Sequence, residues 1–101
     1  ILYNSFFKVP EADYDSFAQC LTDKGAVMYG TYWCTYCNAQ KNEFGDSFKL
    51  INYIECTEDP DLCTEKDIEG FPTWIINDVK YPGKQAMSRL AALTGCELKE
   101  G

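Results

Sequence analysis

The sequence predicts a single α/β domain in which a small mixed sheet of about four strands is covered by helices. Three observations lead there. Short apolar runs of strand length alternate with segments whose apolar residues recur at helical spacing. The last two strand-like runs are separated only by Asn77-Asp78, a hairpin turn signal. The chain has 101 residues with 46% hydrophobic and 15% aromatic content, enough for one core and little more.

Taken in order, residues 1–9 show no period and read as a lead-in segment. Pro10 opens a helical pattern that runs to Lys24, with Phe17, Cys20 and Leu21 on one face. Pro suits a first helical turn, Glu11 and Asp13 complement the helix dipole there, and Gly25 is the stop. Ala26-Val27-Met28-Tyr29 is the first strand, ended by Gly30. A helix over 35–44 comes next and is closed by Gly45. Leu50 to Ile54 is the second strand, rich in β-formers. After a polar stretch around Pro60 comes a short helix at about 61–67. Thr73-Trp74-Ile75-Ile76 is the third strand, and Val79-Lys80-Tyr81 returns across the hairpin. A last amphipathic helix covers 84–94, with Ala86, Leu90 and Leu93 inward and Gly95 as its stop. A right-handed crossover between the first two strands makes them parallel neighbours.

Composition excludes several functions. The net charge is −7 and the nine basic residues are scattered, so neither nucleic acid nor an anionic membrane surface is an expected partner. With no His in the chain, His-based acid–base catalysis, Cys-His nucleophile pairs and His-containing metal sites are out. No cofactor is called for, and the expected state is a monomer. No apolar stretch approaches the ~18 residues needed to span a bilayer. The chain starts at Ile1 and lacks a basic segment followed by an apolar one. It therefore reads as a mature or excised piece, with any signal peptide or membrane anchor elsewhere in a larger protein. Six Cys is a heavy, even number that points to an oxidising, extracytoplasmic compartment: periplasm, lumen or cell surface.

The strongest chemical signal is Cys34-Thr35-Tyr36-Cys37, placed after a strand and at the opening of a helix. A sulfur there faces unpaired backbone N–H groups and the positive end of the helix dipole, which favours a thiolate. The i, i+3 offset puts the second sulfur on the same face. Cys34 is then the attacking thiol and Cys37 the resolving one. Trp33 shields one side of the centre. On spacing alone the same pair serves equally as a tight disulfide or half of a zinc site.

The second signal is Gly70-Phe71-Pro72-Thr73-Trp74, which enters the third strand 35 residues after Cys37. With this loop the sequence resembles the thioredoxin superfamily, and the resemblance implies a thioredoxin-like fold. It also implies that the Phe71–Pro72 peptide is cis, facing Cys34 and Cys37, and that Phe71 backbone groups pair with an extended substrate. X-Pro bonds are the ones in which cis is inexpensive. Residues 29–41, Tyr53-Ile54-Glu55-Cys56 and Gly70 to Asn77 together are similar to the thioredoxin-like domains fused to, or partnered with, bacterial vitamin K epoxide reductase homologues. That resemblance, over about residues 12–96, implies an extracytoplasmic disulfide oxidoreductase that takes electrons from protein thiols. It passes them to a membrane reductase, which hands them to a quinone. Two departures matter. Members often carry Pro-His between the cysteines where this chain has Thr35-Tyr36, so one stabiliser of the thiolate is missing and a weaker oxidant is expected. At the position six before the first Cys, often a buried acid in cytosolic thioredoxins, stands Met28. The usual proton acceptor for Cys37 is then absent there, and Glu55 is either its substitute or a plain solvent-facing strand residue.

Four cysteines remain. A Cys56–Cys63 disulfide would close a seven-residue interval and contribute about 2.5 kcal/mol by the chain-entropy estimate. The alternative is a second redox pair relaying electrons to Cys34 and Cys37. Cys20 and Cys96, if joined, would tie the ends of the domain for about 4.5 kcal/mol; otherwise both are buried free thiols. Six cysteines allow 15 pairings. Tyr32, Tyr36, Trp33 and Phe71 are expected around the active cysteines as an apolar collar suited to extended polypeptide. Two readings compete with a redox centre. One is a four-thiolate zinc or iron–sulfur module built from Cys34, Cys37, Cys56 and Cys63, and the other is a disulfide-stapled binding domain without turnover.

Overall fold

The computed structural model describes residues 14–98. Helix α1 spans Asp15–Asp23, strand β1 Val27–Gly30, helix α2 Thr35–Phe44, strand β2 Tyr53–Glu55 and helix α3 Pro60–Glu65. Strands β3 (Thr73–Ile76) and β4 (Val79–Pro82) and helix α4 (Met87–Thr94) complete the chain. The sheet order is β2-β1-β3-β4, with β1 parallel to β2 and the other pairings antiparallel. Met28 lies opposite Tyr53 on one side and Trp74 on the other. This is the predicted α/β class: a four-stranded mixed sheet with a terminal hairpin and a C-terminal helix. Asn77 and Asp78 both take positive φ (53° and 66°), the two-residue turn whose twist matches the strands it joins. Among the described residues no helix is long and apolar enough to cross a membrane.

Several boundaries differ from the sequence expectation. Helix α1 begins at Asp15, after Tyr14, instead of at Pro10; Pro10, Glu11, Asp13 and the lead-in 1–9 lie outside the described residues. Strand β1 is shifted by one, so that Gly30 is its last residue. The second strand is shorter and later than Leu50 to Ile54. Residues Gly45–Leu50 form a 3-10 helix, and a side chain of α1 holds the segment between that helix and β2. The Thr22 hydroxyl donates to the Leu50 carbonyl (2.7 Å) and accepts from the Asn52 N–H (3.2 Å), while Ile51 is buried. Those backbone groups are taken before the sheet can claim them. Helix α3 starts at Pro60 and stops at Glu65, with Asp67 at φ 59° in the turn beyond it. Helix α4 starts three residues late. Gln85 donates its N–H to the buried Gln40 side chain (2.9 Å), and Ala86 is extended and exposed, so it does not point into the core. Leu90 alone of the predicted inward trio is fully buried, and Gly95 ends the helix in the left-handed conformation.

The core lies between the sheet and α1, α2 and α4 around Trp74 and Phe44. Phe44 stacks on Phe17 (centroids 6.2 Å) and tilts against Trp74 (6.4 Å). One buried polar residue ties these layers together. Gln40 accepts from Trp74 Nε1 (3.0 Å) and donates to the Gln85 carbonyl (3.0 Å), so its amide is satisfied without water. Helix α2 is thereby locked to β3, and its first turn, which carries both cysteines, is held over the end of the sheet.

Candidate active site

Cys34 is the N-cap of α2, with extended backbone (φ −81°, ψ 122°), and its Sγ accepts the N–H of Cys37 at 3.1 Å. A sulfur in this place does what a capping oxygen does: it satisfies one of the orphan donors of the first helical turn. Both cysteines are free thiols. Cys34 is buried at the surface edge (7% exposed), whereas Cys37 is wholly enclosed. Burial pushes the Cys37 thiol up to about 12; the hydrogen bond with Cys34 adds to the rise, while the Thr31 backbone and the Lys41 charge oppose it. Cys37 is therefore a neutral thiol at ordinary pH.

The loop leading into Cys34 is pinned from below. Glu55, at the end of β2, accepts from the Tyr32 N–H (3.1 Å), the Tyr53 hydroxyl (2.7 Å) and the Thr57 hydroxyl (2.7 Å). Asn38 of α2 donates to the Tyr32 carbonyl at 3.1 Å. Burial works to raise the Glu55 carboxyl, but these hydrogen bonds outweigh it and hold the group below its ordinary value. Burial, and then Glu55 itself, push the Tyr53 hydroxyl up. Glu55 is thus half-buried and occupied by three donors, instead of a plain solvent-facing strand residue, and none of its hydrogen bonds goes to Cys37. Its anchoring of the loop is a role the sequence did not reveal. The Glu55-x-Thr57 pair at the end of a strand was the one available hint.

Gly30 explains why the sheet can pass so close beneath. A Cβ there would meet Cys37 Sγ at 2.8 Å and the Tyr53 ring at 3.3 Å, so only glycine leaves the thiol its space.

Around this centre, Tyr32, Trp33 and Tyr36 are 67%, 61% and 66% exposed, the three most exposed large apolar side chains among the described residues. Phe71 is half-buried and meets Trp33 edge-on, with ring centroids 5.9 Å apart. The Phe71–Pro72 peptide is cis, Pro72 is buried, and its carbonyl accepts from the Gly83 N–H (2.7 Å). Through the Trp33–Phe71 contact, the Pro72 loop and the cysteine loop share one surface.

The other cysteines are bonded in two pairs. Cys20–Cys96 joins α1 to the segment after α4, and Cys56–Cys63 joins the end of β2 to α3. With Cys56 and Cys63 bonded to each other, a four-thiolate cluster with Cys34 and Cys37 does not assemble. Among the described residues no three Cys, Asp or Glu side chains converge as metal ligands.

No protein-family model matches the chain. Thiol-disulfide oxidoreductase LTO1 of Arabidopsis thaliana is 41% identical over 92 residues, a match to 82% of this chain and 24% of that protein. The protein disulfide-isomerase of Humicola insolens is 28% identical over 80 residues, covering 67% of this chain and 15% of that protein. The chain thus spans a quarter or less of the length of these curated relatives. Among solved structures, chloroplastic thioredoxin z superposes with a TM-score of 0.54 at 17% identity, over 91% of this chain and 96% of its own. The first thioredoxin domain of mouse protein disulfide-isomerase A4 gives 0.50 at 16% identity, over 91% and 86%. With the sheet order and the cysteine pair at the start of α2, these likenesses show that the chain has a thioredoxin-like fold.

Proposed function

We propose that the chain is a thiol–disulfide oxidoreductase that oxidises protein thiols through Cys34 and Cys37. The observation that carries this reading is the asymmetry of the pair. Cys34 caps a helix at the surface edge beneath exposed aromatics, and Cys37 is sealed behind it. In the oxidised centre a substrate thiolate attacks Cys34 Sγ. The Cys34–Cys37 bond breaks, and Cys37 leaves as a thiolate that takes up a proton. A second substrate thiolate then attacks the substrate sulfur of the mixed disulfide. The substrate disulfide forms and Cys34 is released, so two electrons have moved from substrate to centre. Trp33, Tyr36 and Phe71 supply the apolar contact for an extended polypeptide, and Pro72 shapes the loop beside it. The Arabidopsis relative bears the name of a thiol-disulfide oxidoreductase, which supports that class of reaction here.

The finer reading rests on the sequence resemblance alone. Its substance is an extracytoplasmic domain reoxidised by a membrane partner like vitamin K epoxide reductase, within or beside a larger protein. The experiment pairs trapping with redox titration. Cys37→Ala should accumulate mixed disulfides with disulfide-bearing, unfolded protein, as Cys34 attacks a substrate disulfide and one substrate thiolate leaves, and Cys34→Ala should accumulate none. Membrane vesicles carrying such a reductase and quinone should reoxidise the reduced domain. A potential near the ~−270 mV of thioredoxin, with no reoxidation by those vesicles, would make it a reductase instead. Fastest alkylation of Cys37 at mildly acidic pH would reverse the two roles.

A further inference from the structure

Lys41 is a half-buried cation without a carboxylate partner among the described residues, whose two salt bridges are Lys80–Asp67 and Lys84–Glu43. Its ammonium instead lies over aromatic rings, 4.3 Å from the Tyr53 centroid and 5.9 Å from that of Phe48. Such placement holds a cation without neutralising it. Lys41 is also four residues after Cys37 on α2, one turn along the same face. Tyr53 is the shared wall, since its ring and hydroxyl and Cys37 Sγ all close on the same point above Gly30.

We propose that Lys41 is a positioning residue for the redox centre, stabilising the Cys37 thiolate that appears each time the Cys34–Cys37 bond is opened or formed. This rests on the redox role proposed for the two cysteines. In the resolving direction, Cys37 gives its proton to solvent and attacks Cys34 Sγ; the Cys34–Cys37 bond forms and the bound thiol leaves as a thiolate. In the oxidising direction the same Cys37 thiolate is the leaving group. Either way a negative charge is created in an enclosed site. A backbone hydrogen bond from Thr31 also favours the thiolate, but no other charged group facing it does. Cys34 on α2 adds repulsion when ionised, and Glu55 on β2 is negative and already taken by three donors. The side chains of β1 (Val27, Met28, Tyr29) and β3 (Thr73, Trp74, Ile75, Ile76) bring no charge. Lys41 is the cation that counters the rise of the Cys37 thiol. It stands in for electrostatic help at a centre that has neither a His between its cysteines nor an acid at Met28.

The test is the two-phase reaction of the reduced domain with 5,5′-dithiobis(2-nitrobenzoic acid), followed by absorbance from pH 6 to 9. Cys34 displaces one thionitrobenzoate, and Cys37 then displaces the second from the Cys34 adduct. Lys41→Gln should leave the first phase unchanged and slow the second about tenfold, equal to about 1.4 kcal/mol, with its pH profile displaced upward. Lys41→Arg should retain the wild-type second phase within about twofold, as should Tyr53→Phe, which keeps the ring beneath the cation. A second phase unchanged by Lys41→Gln, or slowed equally by Lys41→Arg, overturns the assignment. A wild-type domain that releases no second thionitrobenzoate refutes the redox reading and the Lys41 role with it.

Discussion

Replacing Gly30 by Ala puts one methyl group into the space shared by Cys37 and Tyr53. Gly30 is a strand residue that does not take positive φ, so the backbone itself tolerates a side chain. Relief of glycine entropy alone would favour Ala by roughly 0.5–1 kcal/mol. The contacts decide otherwise. The new Cβ would sit 2.8 Å from Cys37 Sγ and 3.3 Å from Tyr53 Cε1. Neither neighbour is free to yield: Cys37 is enclosed in the first turn of α2, and the Tyr53 hydroxyl is held by Glu55 at 2.7 Å. Overpacking of this kind costs about 1–3 kcal/mol. The net loss is then up to about 2.5 kcal/mol, which for a domain of this size lowers the melting temperature by as much as roughly 20 °C. The measurement is a double-mutant cycle by urea unfolding of the reduced protein, with Gly30→Ala made in wild type and in Cys37→Ala. Removing the sulfur removes the worst contact, so the second background should recover at least about 1 kcal/mol as coupling. Equal costs in both backgrounds, or a stabilised Gly30→Ala, would refute the packing account.

Other expectations concern protonation, buried polar groups and the disulfides. The Cys37 thiol rises from 9.0 when unfolded to about 12 when folded, so between these values the unfolded chain loses its proton and the native state keeps it. The contribution is fully present below pH 9 and is lost as pH climbs towards 12. Reduced wild type should therefore destabilise over that window more steeply than reduced Cys37→Ala; parallel denaturation curves would count against it. Gln40→Leu leaves the Trp74 indole N–H and the Gln85 N–H without their acceptor, each costing roughly 1–3 kcal/mol. A midpoint unchanged in urea would contradict that network. Converting Cys20 and Cys96 to Ser should cost about 4.5 kcal/mol, and Cys56 with Cys63 about 2.5 kcal/mol. In both double variants the Cys34 reaction should keep its wild-type rate. Loss of substrate oxidation by the Cys56/Cys63 variant while it stays folded would instead make that pair an electron relay.

Some of the molecule was readable because local chemistry and tertiary environment agree. Helix α2 appears at Thr35–Phe44, bounded by a capping residue and a glycine, and β3 appears at Thr73–Ile76. The hairpin comes from Asn77-Asp78, two residues that accept positive φ without support from elsewhere. The misplaced boundaries share a cause. Leu50, Asn52 and Gln85 look free to extend a strand or a helix, but distant side chains take their backbone groups. Thr22 does this 28 residues from Leu50, and Gln40 does it 45 residues from Gln85. No local pattern carries such competition.

The cysteine pair divides along the same line. Residue order alone determined that Cys34 and Cys37 open a helix after a strand, that no His can assist them, and that the domain is α/β with a closing hairpin. Only the tertiary structure decided which sulfur is sealed and which lies at the surface edge. It also decided that Glu55 anchors the Tyr32 backbone and that Lys41 lies over the Tyr53 ring. Cap positions and turns are set by a few neighbouring residues, whereas burial and charge balance depend on which segments are brought together. Here β2, α2 and the Gly30 crossing meet at one point, and that meeting sets how the two thiols differ.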